Sequence, residues 1–125
     1  MKGRYSPELL DHFRRPRNIW DSRDVTGLHI LECGEQEKGE VIRLYIVADN
    51  RTKEIKSCWF MAAGSVEMIG IASWVTVYVR GMSVREVRER LESDARKNLG
   101  LFPSQWRVTK WLVRLFVRLD QELQI

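Results

Sequence analysis

The stretch KSCWFMAAGSVEMIGIASWVTVYVRG, residues 56–81, decides how the chain folds, because it carries almost no charge. Between residues 57 and 79, Glu67 is the one charged side chain. The run is long enough to cross a bilayer, but this carboxylate and two glycines interrupt it. We therefore favour a strand that leads into a buried helix over 66–79, with Gly81 in the left-handed conformation just after the helix.

The segments before this stretch predict a small antiparallel sheet. VIRLYIVAD (41–49) is rich in β-branched and aromatic residues, and EIKSCWFMAA (54–63) alternates in the manner of a strand that pairs with it. NRTK, residues 50–53, fits the hairpin turn between them. HILEC (29–33) predicts a short strand, GEQEKG (34–39) a charged loop, and residues 17–29 a polar connector.

Helix signals lie on both sides of the sheet. Ser6 is predicted to cap a first helix, with Pro7 at its first position, and Pro16 ends that helix. Ser83 and Glu86 form a capping-box pattern at the start of another helix. The last segment, WRVTKWLVRLFVRLDQEL, spaces apolar residues for a final helix: Trp111, Leu112, Leu115, Phe116, Leu119 and Leu123. Together these elements predict an α+β fold, a small antiparallel sheet packed against helices.

The composition indicates one domain spanning residues 1–125. Hydrophobic residues make up 44% of the chain, which is enough to bury a core and argues against disorder. The 21 Lys and Arg exceed the 17 Asp and Glu only modestly, and no nucleic-acid-binding motif accompanies them. The start of the chain lacks the apolar segment of a signal peptide, and Cys33 and Cys58 form no CxxC pair. We expect a cytoplasmic protein with reduced thiols and no nucleic-acid partner.

Three sequence motifs resemble those of the IscU/NifU-type iron–sulfur cluster assembly scaffold family. YSPELLDHFRRPRN, residues 5–18, carries the Asp-His-Phe and Pro-Arg-Asn pieces of the family's opening motif. Residues 60–83 align without a gap with the family's central motif, in which an aromatic residue precedes Gly-Cys-Gly-Ser and a helix. LFPSQWRVT, residues 101–109, corresponds to the third motif through Leu101 and Pro103. The resemblance implies a fold of the IscU/NifU (SufE/NifU) type.

The resemblance also implies a cluster site whose ligands this chain lacks. Family members hold a 2Fe–2S cluster or zinc on three cysteines with a nearby aspartate, because thiolates are soft ligands for iron. Lys38, Ser65 and Val108 stand at the three cysteine positions, and Glu40 stands at the aspartate position. Arg107 stands where the family has a histidine. We therefore expect no metal and no cofactor, and a protein that is not an enzyme.

An alternative interpretation keeps a metal site. Cys33, followed by Gly34, can be aligned with the displaced family Cys-Gly if an insertion follows it. Cys33 and Glu40, with a ligand supplied by a partner protein, would then hold a 2Fe–2S cluster or zinc. Cys58 is predicted to be a small buried side chain. No serine or cysteine triad is visible, since Ser65 has only His12 and His29 as imidazole candidates.

Protein partners are the main functional expectation that the resemblance carries. In the family, docking occurs on a cysteine desulfurase and, through the third motif, on a chaperone. A cysteine desulfurase, an intact scaffold or a second copy of this chain are therefore the candidate partners. Lys38 and Arg107 are also candidates for an anion site. The predicted partner-binding residues are Tyr5, Lys38, Phe102, Pro103, Trp106 and Arg107.

The last helix leaves three interpretations open. Its basic amphipathic character is compatible with a membrane interface. Packing of its Trp111, Leu115 and Leu119 face on the sheet is favoured, since amphipathic helices in globular domains do this. Val113 and Val117 widen the apolar arc, which suggests contact with a partner helix or a homodimer.

Overall fold

A computed structural model describes residues 4–123 of the protein. Residues 1–3 and 124–125 lie outside this description. The predicted domain over 1–125 includes both segments, and the predicted lack of a signal peptide includes the first. The elements in chain order are α1 (Pro7–Arg14), β1 (His29–Cys33), β2 (Val41–Ala48), β3 (Ile55–Ala63), α2 (Val66–Tyr78), α3 (Val84–Asn98) and α4 (Trp106–Glu122), with 3-10 turns at Gln36–Lys38 and Pro103–Gln105. The predicted α+β fold is confirmed.

The three strands form one antiparallel sheet in the order β1-β2-β3. Leu31, Leu44 and Phe60 lie side by side across it and are buried against the helices. The predicted hairpin turn joins β2 to β3, and Asp49 stabilises it by accepting hydrogen bonds from two main-chain N–H groups at 2.8 Å. Side chains that alternate along each strand therefore place one apolar face of the sheet against the helical layer.

The other face of the sheet is covered by the segment predicted to be a polar connector. Asn18 and Trp20 exchange main-chain hydrogen bonds with Phe60 at 3.0 and 2.8 Å. The ring of Trp20 stacks on Tyr45 with centroids 4.3 Å apart and meets Trp59 edge-on at 5.6 Å. Both faces of β3 are therefore buried here, and Cys58, Trp59 and Phe60 are buried in succession where an alternation of buried and exposed side chains was expected. The connector prediction is confirmed, since no helix or strand lies between α1 and β1, but local sequence did not show that residues 18–20 pair with β3 or that the Trp20 ring stacks on Tyr45.

The helix termini follow the capping signals in the sequence. The Ser6 side chain accepts a hydrogen bond from the N–H of Leu9 at 3.0 Å, and α1 begins at Pro7. Ser83 and Glu86 form the predicted reciprocal capping box at the start of α3. Gly81 has φ +85°, the left-handed conformation expected just beyond α2. These local predictions are confirmed.

The uncharged stretch forms β3 and α2. Helix α2 has 13 residues, and no helix in the described part of the chain is both long and apolar enough to cross a bilayer. Gly70 lets α1 approach closely, because a Cβ at this position would lie 2.6 Å from Leu9 Cδ1. The strand-to-helix prediction is confirmed, and the helix is buried between α1 and the sheet.

Polar residues of the opening motif fasten α1 and the following loop onto α2. The Ser73 hydroxyl accepts from the N–H of Arg17 at 2.9 Å and lies 2.8 Å from His12 Nδ1, and Asn18 donates to Thr76 at 3.0 Å. Burial lowers the pKa of His12 below its usual value, and the charge of Arg17 adds to this effect. These contacts give His12 a structural role in joining α1 to α2.

The final helix packs against α3 and β1. Its predicted apolar residues are buried, except that Trp111 is only half-buried. Residues Val113 and Val117 lie at the edge of this face and are half-buried as well. The favoured packing interpretation of α4 is therefore confirmed, and its charged side faces away from the core.

Candidate functional site

Three distant segments meet at the position where the resemblance placed a cluster. Glu40 ends the β1–β2 connection, Ser65 and Glu67 lie at the start of α2, and Arg107 lies in the first turn of α4. Gly64, which lies against the Glu40 main chain, has φ +128°, a conformation that residues other than glycine rarely adopt. The fold thus brings together residues that stand 67 positions apart in the chain.

An arginine–carboxylate ion pair is the centre of this site. Arg107 donates from both terminal nitrogens to both oxygens of Glu40, at 3.0 and 2.8 Å. A second carboxylate, that of Glu67, lies 3.8 Å from the same guanidinium. The hydrogen bonds to Glu40 raise the pKa of Arg107 above its usual value. Burial acts in the opposite direction and lowers this pKa, while the nearby negative charges raise it further. Planar two-point pairing of this kind is among the strongest polar contacts that proteins make.

The burial of Glu40 follows from the geometry of the loop that precedes it. A 3-10 turn and Gly39, with φ +71°, bend the chain so that Glu40 is only 8% exposed. Gly34 has φ +124°, and a Cβ there would lie 2.3 Å from the Glu40 carbonyl oxygen. Only glycine combines this conformation with so close an approach. The loop therefore holds a carboxylate inside the site, and Arg107 supplies its counter-charge.

Ser65 occupies the central family cysteine position and has an unusual hydroxyl. It sits at the position that caps α2, with extended φ and ψ of −73° and 172°, but its side chain makes no capping hydrogen bond. Its Oγ is buried and has no hydrogen-bond partner among the described residues. A buried hydroxyl without a partner costs about 1–3 kcal/mol. Ser65 therefore has the backbone conformation of a helix cap, but its hydroxyl does not cap α2.

The side chains at the other two family cysteine positions do not face the site. Lys38 is exposed and its Nζ lies 3.1 Å from Glu35, while Val108 is completely buried in the core. Lys38 and Arg107 therefore each have an acidic partner. The hypothesis that these two cations form a shared anion site is not supported, because carboxylates of the chain already occupy them.

The weak metal candidates are not assembled into one site. Cys33 borders a different cavity of about 320 Å³, whose lining includes Trp111, Arg114 and Arg118 but not Glu40. Burial raises the pKa of the Cys33 thiol to about 12, with the charge of Glu32 adding and that of Arg118 opposing. Within residues 4–123, no group of three or more His, Cys, Asp and Glu side chains is placed to hold a metal ion.

Cys58 is fully buried on the inner face of the sheet. This burial raises the pKa of its thiol well above the usual range, which keeps it protonated and unreactive. The structural role predicted for this residue is confirmed.

The predicted partner-binding residues fall on two neighbouring surfaces. Phe102 is 48% exposed and Pro103 is also exposed, whereas Trp106 donates to the Leu101 carbonyl at 3.2 Å and lies under a guanidinium. Tyr5 lines a shallow groove along α1. Gln105 ties the two surfaces together, because its side chain donates to the Arg4 carbonyl at 3.1 Å.

Sequence reasoning missed two members of the site. In the sequence, Glu67 stands out only as the one charge of the apolar stretch, and Trp111 only as part of the packing face of α4. The structure places Glu67 beside the guanidinium of Arg107 and the Trp111 ring 5.1 Å from it. Opposite charges at neighbouring family ligand positions, Glu40 and Arg107, were the signal available in the sequence.

The chain is similar in sequence to curated iron–sulfur cluster assembly proteins. The Iron-sulfur cluster assembly scaffold protein IscU 1 of Archaeoglobus fulgidus is 30% identical over 102 residues, which cover 81% of this chain and 63% of that protein. Iron sulfur cluster assembly protein 2, mitochondrial, of Saccharomyces cerevisiae is 29% identical over 103 residues, covering 82% and 66%. The chain therefore spans about two thirds of the length of these relatives.

Solved structures show the same fold at low sequence identity. A hypothetical protein solved by crystallography superposes with a TM-score of 0.64 at 18% identity, covering 94% of each chain. The putative scaffold protein for the SUF system from Fervidobacterium islandicum gives a TM-score of 0.59 at 13% identity, covering 91% of this chain and 89% of its own. The family described as the NifU-like N terminal domain matches residues 4–115, and the chain belongs to that family.

Proposed function

We propose that this protein is a non-catalytic interaction or regulatory module of iron–sulfur cluster assembly that does not itself hold a cluster. Its relatives are named as assembly scaffolds, which supports the pathway. A cytoplasmic location is part of the proposal, since two unpaired thiols remain reduced there. The ion pair between Arg107 and Glu40 is the observation that carries it.

The ion pair supports loss of cluster binding for two physical reasons. Both oxygens of Glu40, the residue at the family's aspartate position, already accept hydrogen bonds from Arg107. A metal cation placed beside this carboxylate would also lie next to a permanently charged guanidinium, which repels it. The guanidinium thus supplies the positive charge that a metal would otherwise bring to the buried carboxylate.

The same contacts give the site a structural role without metal. Arg107 joins the β1–β2 connection to α4, and its proximity to Glu67 adds the start of α2. A cluster held by ligands from these three segments would join the same elements. The ion pair therefore keeps the partner-facing end of the domain assembled, with Lys38, Phe102 and Pro103 exposed for docking.

Reconstitution under anaerobic conditions tests the loss of cluster binding. The protein is incubated with ferrous iron and sulfide, desalted, and examined for sulfur-to-iron charge-transfer absorption; zinc binding is measured by calorimetry. We expect neither signal. The matched control is an intact scaffold of the family treated in the same way, which should give both signals. A quadruple variant, Lys38→Cys/Ser65→Cys/Val108→Cys/Arg107→His, returns the family residues to the four positions. Because Lys38 is exposed and Val108 is buried in the core, it would bind metal only if these two segments rearranged.

A cluster on the unmodified protein would overturn the proposal. If Cys33→Ser then abolished that cluster, the alternative site built on Cys33 and Glu40 would be established instead. A folded quadruple variant that still binds no metal would show that the fold no longer brings these four positions together, so that loss of the ligands is not the whole reason.

Docking is tested with purified partners. A cysteine desulfurase and an intact scaffold from the same organism are each titrated with this protein, and binding is followed by interferometry. We expect binding to at least one of them, weakened at least tenfold by Phe102→Ser, because Phe102 is the exposed large hydrophobic side chain among the predicted partner-binding residues. Absence of binding to both proteins would contradict a regulatory role in assembly.

A further inference from the structure

The exposed side of α4 carries a row of unpaired cations. Lys110, Arg114 and Arg118 are all exposed, and within the described residues none of them has a carboxylate within ion-pair distance. Their spacing of four residues places them on one side of the helix, over a length of about 12 Å. We call these three residues the basic stripe.

A groove with two valines and five charged residues in its lining runs beside the basic stripe, between α3 and α4. Val113 and Val117 form its floor and are half-buried. The groove has a volume of about 480 Å³. Each valine lies three residues from a member of the stripe, so apolar floor and cations form one continuous surface.

The far wall of the groove is also basic. Asp120 accepts hydrogen bonds from both Lys53, at 3.0 Å, and Arg88, at 2.7 Å, while Arg85 pairs with Glu89 at 3.1 Å. These two carboxylates are therefore already satisfied by the cations of the wall. The groove and stripe together carry six cations and two carboxylates, and Glu32, which lines a cavity with Arg114 and Arg118, is paired with Arg43. Within the described residues an excess of positive charge therefore remains.

We propose that this groove binds an acidic amphipathic helix of another protein. Apolar side chains one helical turn apart would contact Val113 and Val117, and carboxylates on the flanks would pair with Lys110 and Arg114. Helix-in-groove recognition combines these two elements. The inference rests on the charges and the valines of α4 and α3, and not on whether the site at Arg107 holds a cluster, so it does not depend on the loss of cluster binding.

Two other occupants fit the surface less well. A membrane would require apolar side chains to enter the bilayer, but the large ones of α4, such as Leu115 and Phe116, are buried in the core. A single-stranded nucleic acid would require exposed aromatic rings for stacking, and Trp111 is half-buried with a guanidinium near its ring.

The test uses defined probes on the full chain. The first probe is a fluorescein-labelled peptide of leucine, alanine and glutamate, in which leucines recur at helical spacing and glutamates flank them; the second is its scrambled form of identical composition. Binding is measured by fluorescence anisotropy at physiological salt. We expect the amphipathic peptide to bind at least tenfold more tightly than the scrambled one.

Two charge-reversal variants locate the binding. Lys110→Glu/Arg114→Glu/Arg118→Glu should weaken binding of the amphipathic peptide at least tenfold. The matched control, Arg80→Glu/Arg90→Glu/Lys97→Glu, makes the same change in net charge at other exposed cations and should change binding less than threefold. Circular dichroism verifies that both variants are folded, and exposed positions make this the expected result.

Val113→Ser/Val117→Ser tests the apolar floor and should also weaken binding of the amphipathic peptide at least tenfold. Equal binding of both peptides, equal loss in the control variant, or no binding would overturn the proposal. It would also be overturned if vesicles containing phosphatidylserine, or single-stranded DNA, bound through the basic stripe while the peptide did not.

Discussion

Removal of Arg107 is the sharpest test of how this domain is held together. Arg107→Met keeps most of the aliphatic side chain and deletes the guanidinium, leaving the Glu40 carboxylate buried without its partner. The Glu40 side chain is 11% exposed and that of Arg107 is 39% exposed. Breaking a fully buried pair costs about 3–5 kcal/mol, and an exposed pair contributes about 0–1 kcal/mol. Since the carboxylate is buried and the guanidinium is partly wet, we expect a loss of about 2 kcal/mol in the free energy of unfolding.

The assay is urea denaturation followed by circular dichroism. With a slope of about 1–3 kcal/mol per molar urea, a 2 kcal/mol loss lowers the midpoint by about 1 M. Arg114→Met is the matched control, because this exposed arginine lies on the same helix and has no ion-pair partner among the described residues. A change at such a surface position is expected to remain within about 0.5 kcal/mol.

A double-mutant cycle separates the ion pair from other effects of the substitution. Arg107 also lies 5.1 Å from the Trp111 ring, and its loss affects that contact too. Combining Arg107→Met with Glu40→Gln isolates the coupling between the two side chains, which we expect to be about 1–3 kcal/mol. A coupling below about 0.5 kcal/mol would refute the view that this pair holds the site together.

The remaining predictions concern the loop, the pH dependence and the thiols. Gly34→Ala, with its Cβ 2.3 Å from a carbonyl oxygen, should lower stability by about 3 kcal/mol or prevent folding, whereas Gly39→Ala, which has open space, should cost about 1 kcal/mol; urea melts compare them. Because the pKa of His12 is lower in the folded state, the unfolded chain binds a proton first, so stability should fall as pH drops below about 6.5; His12→Gln should flatten that part of the stability–pH curve, and an unchanged curve would refute the assignment. Cys33, with a pKa of about 12, should react with iodoacetamide at pH 7.5 at least tenfold more slowly than after unfolding, as followed by mass spectrometry; equal rates would show that the thiol is not shielded.

Local sequence was sufficient to predict the elements of this fold. The cap at Ser6, the capping box at Ser83 and the left-handed Gly81 each involve contacts within a few residues, and the structure confirms all of them. The strands and helices were predicted to within one or two residues for the same reason. Their placement in one architecture came from the resemblance to a known family and not from periodicity.

The candidate site was only partly predictable. Alignment placed Glu40, Ser65 and Arg107 at family ligand positions, and the structure brings all three to the same end of the domain. Lys38 and Val108 have the same origin, but the structure turns one to solvent and buries the other. Alignment identifies positions along the chain, whereas the direction of each side chain depends on the loop and helix that carry it.

The amino-acid sequence by itself determined the caps, the turn, the strand and helix order, and the absence of cysteine at the family ligand positions. Only the tertiary structure decided that Trp20 covers the outer face of the sheet and that Arg107 pairs with Glu40 across 67 positions. The physical reason is the sequence separation between the residues that interact. Capping and hydrogen-bonded turns are settled by neighbouring residues, but burial of an ion pair depends on packing that brings distant segments together and removes their water.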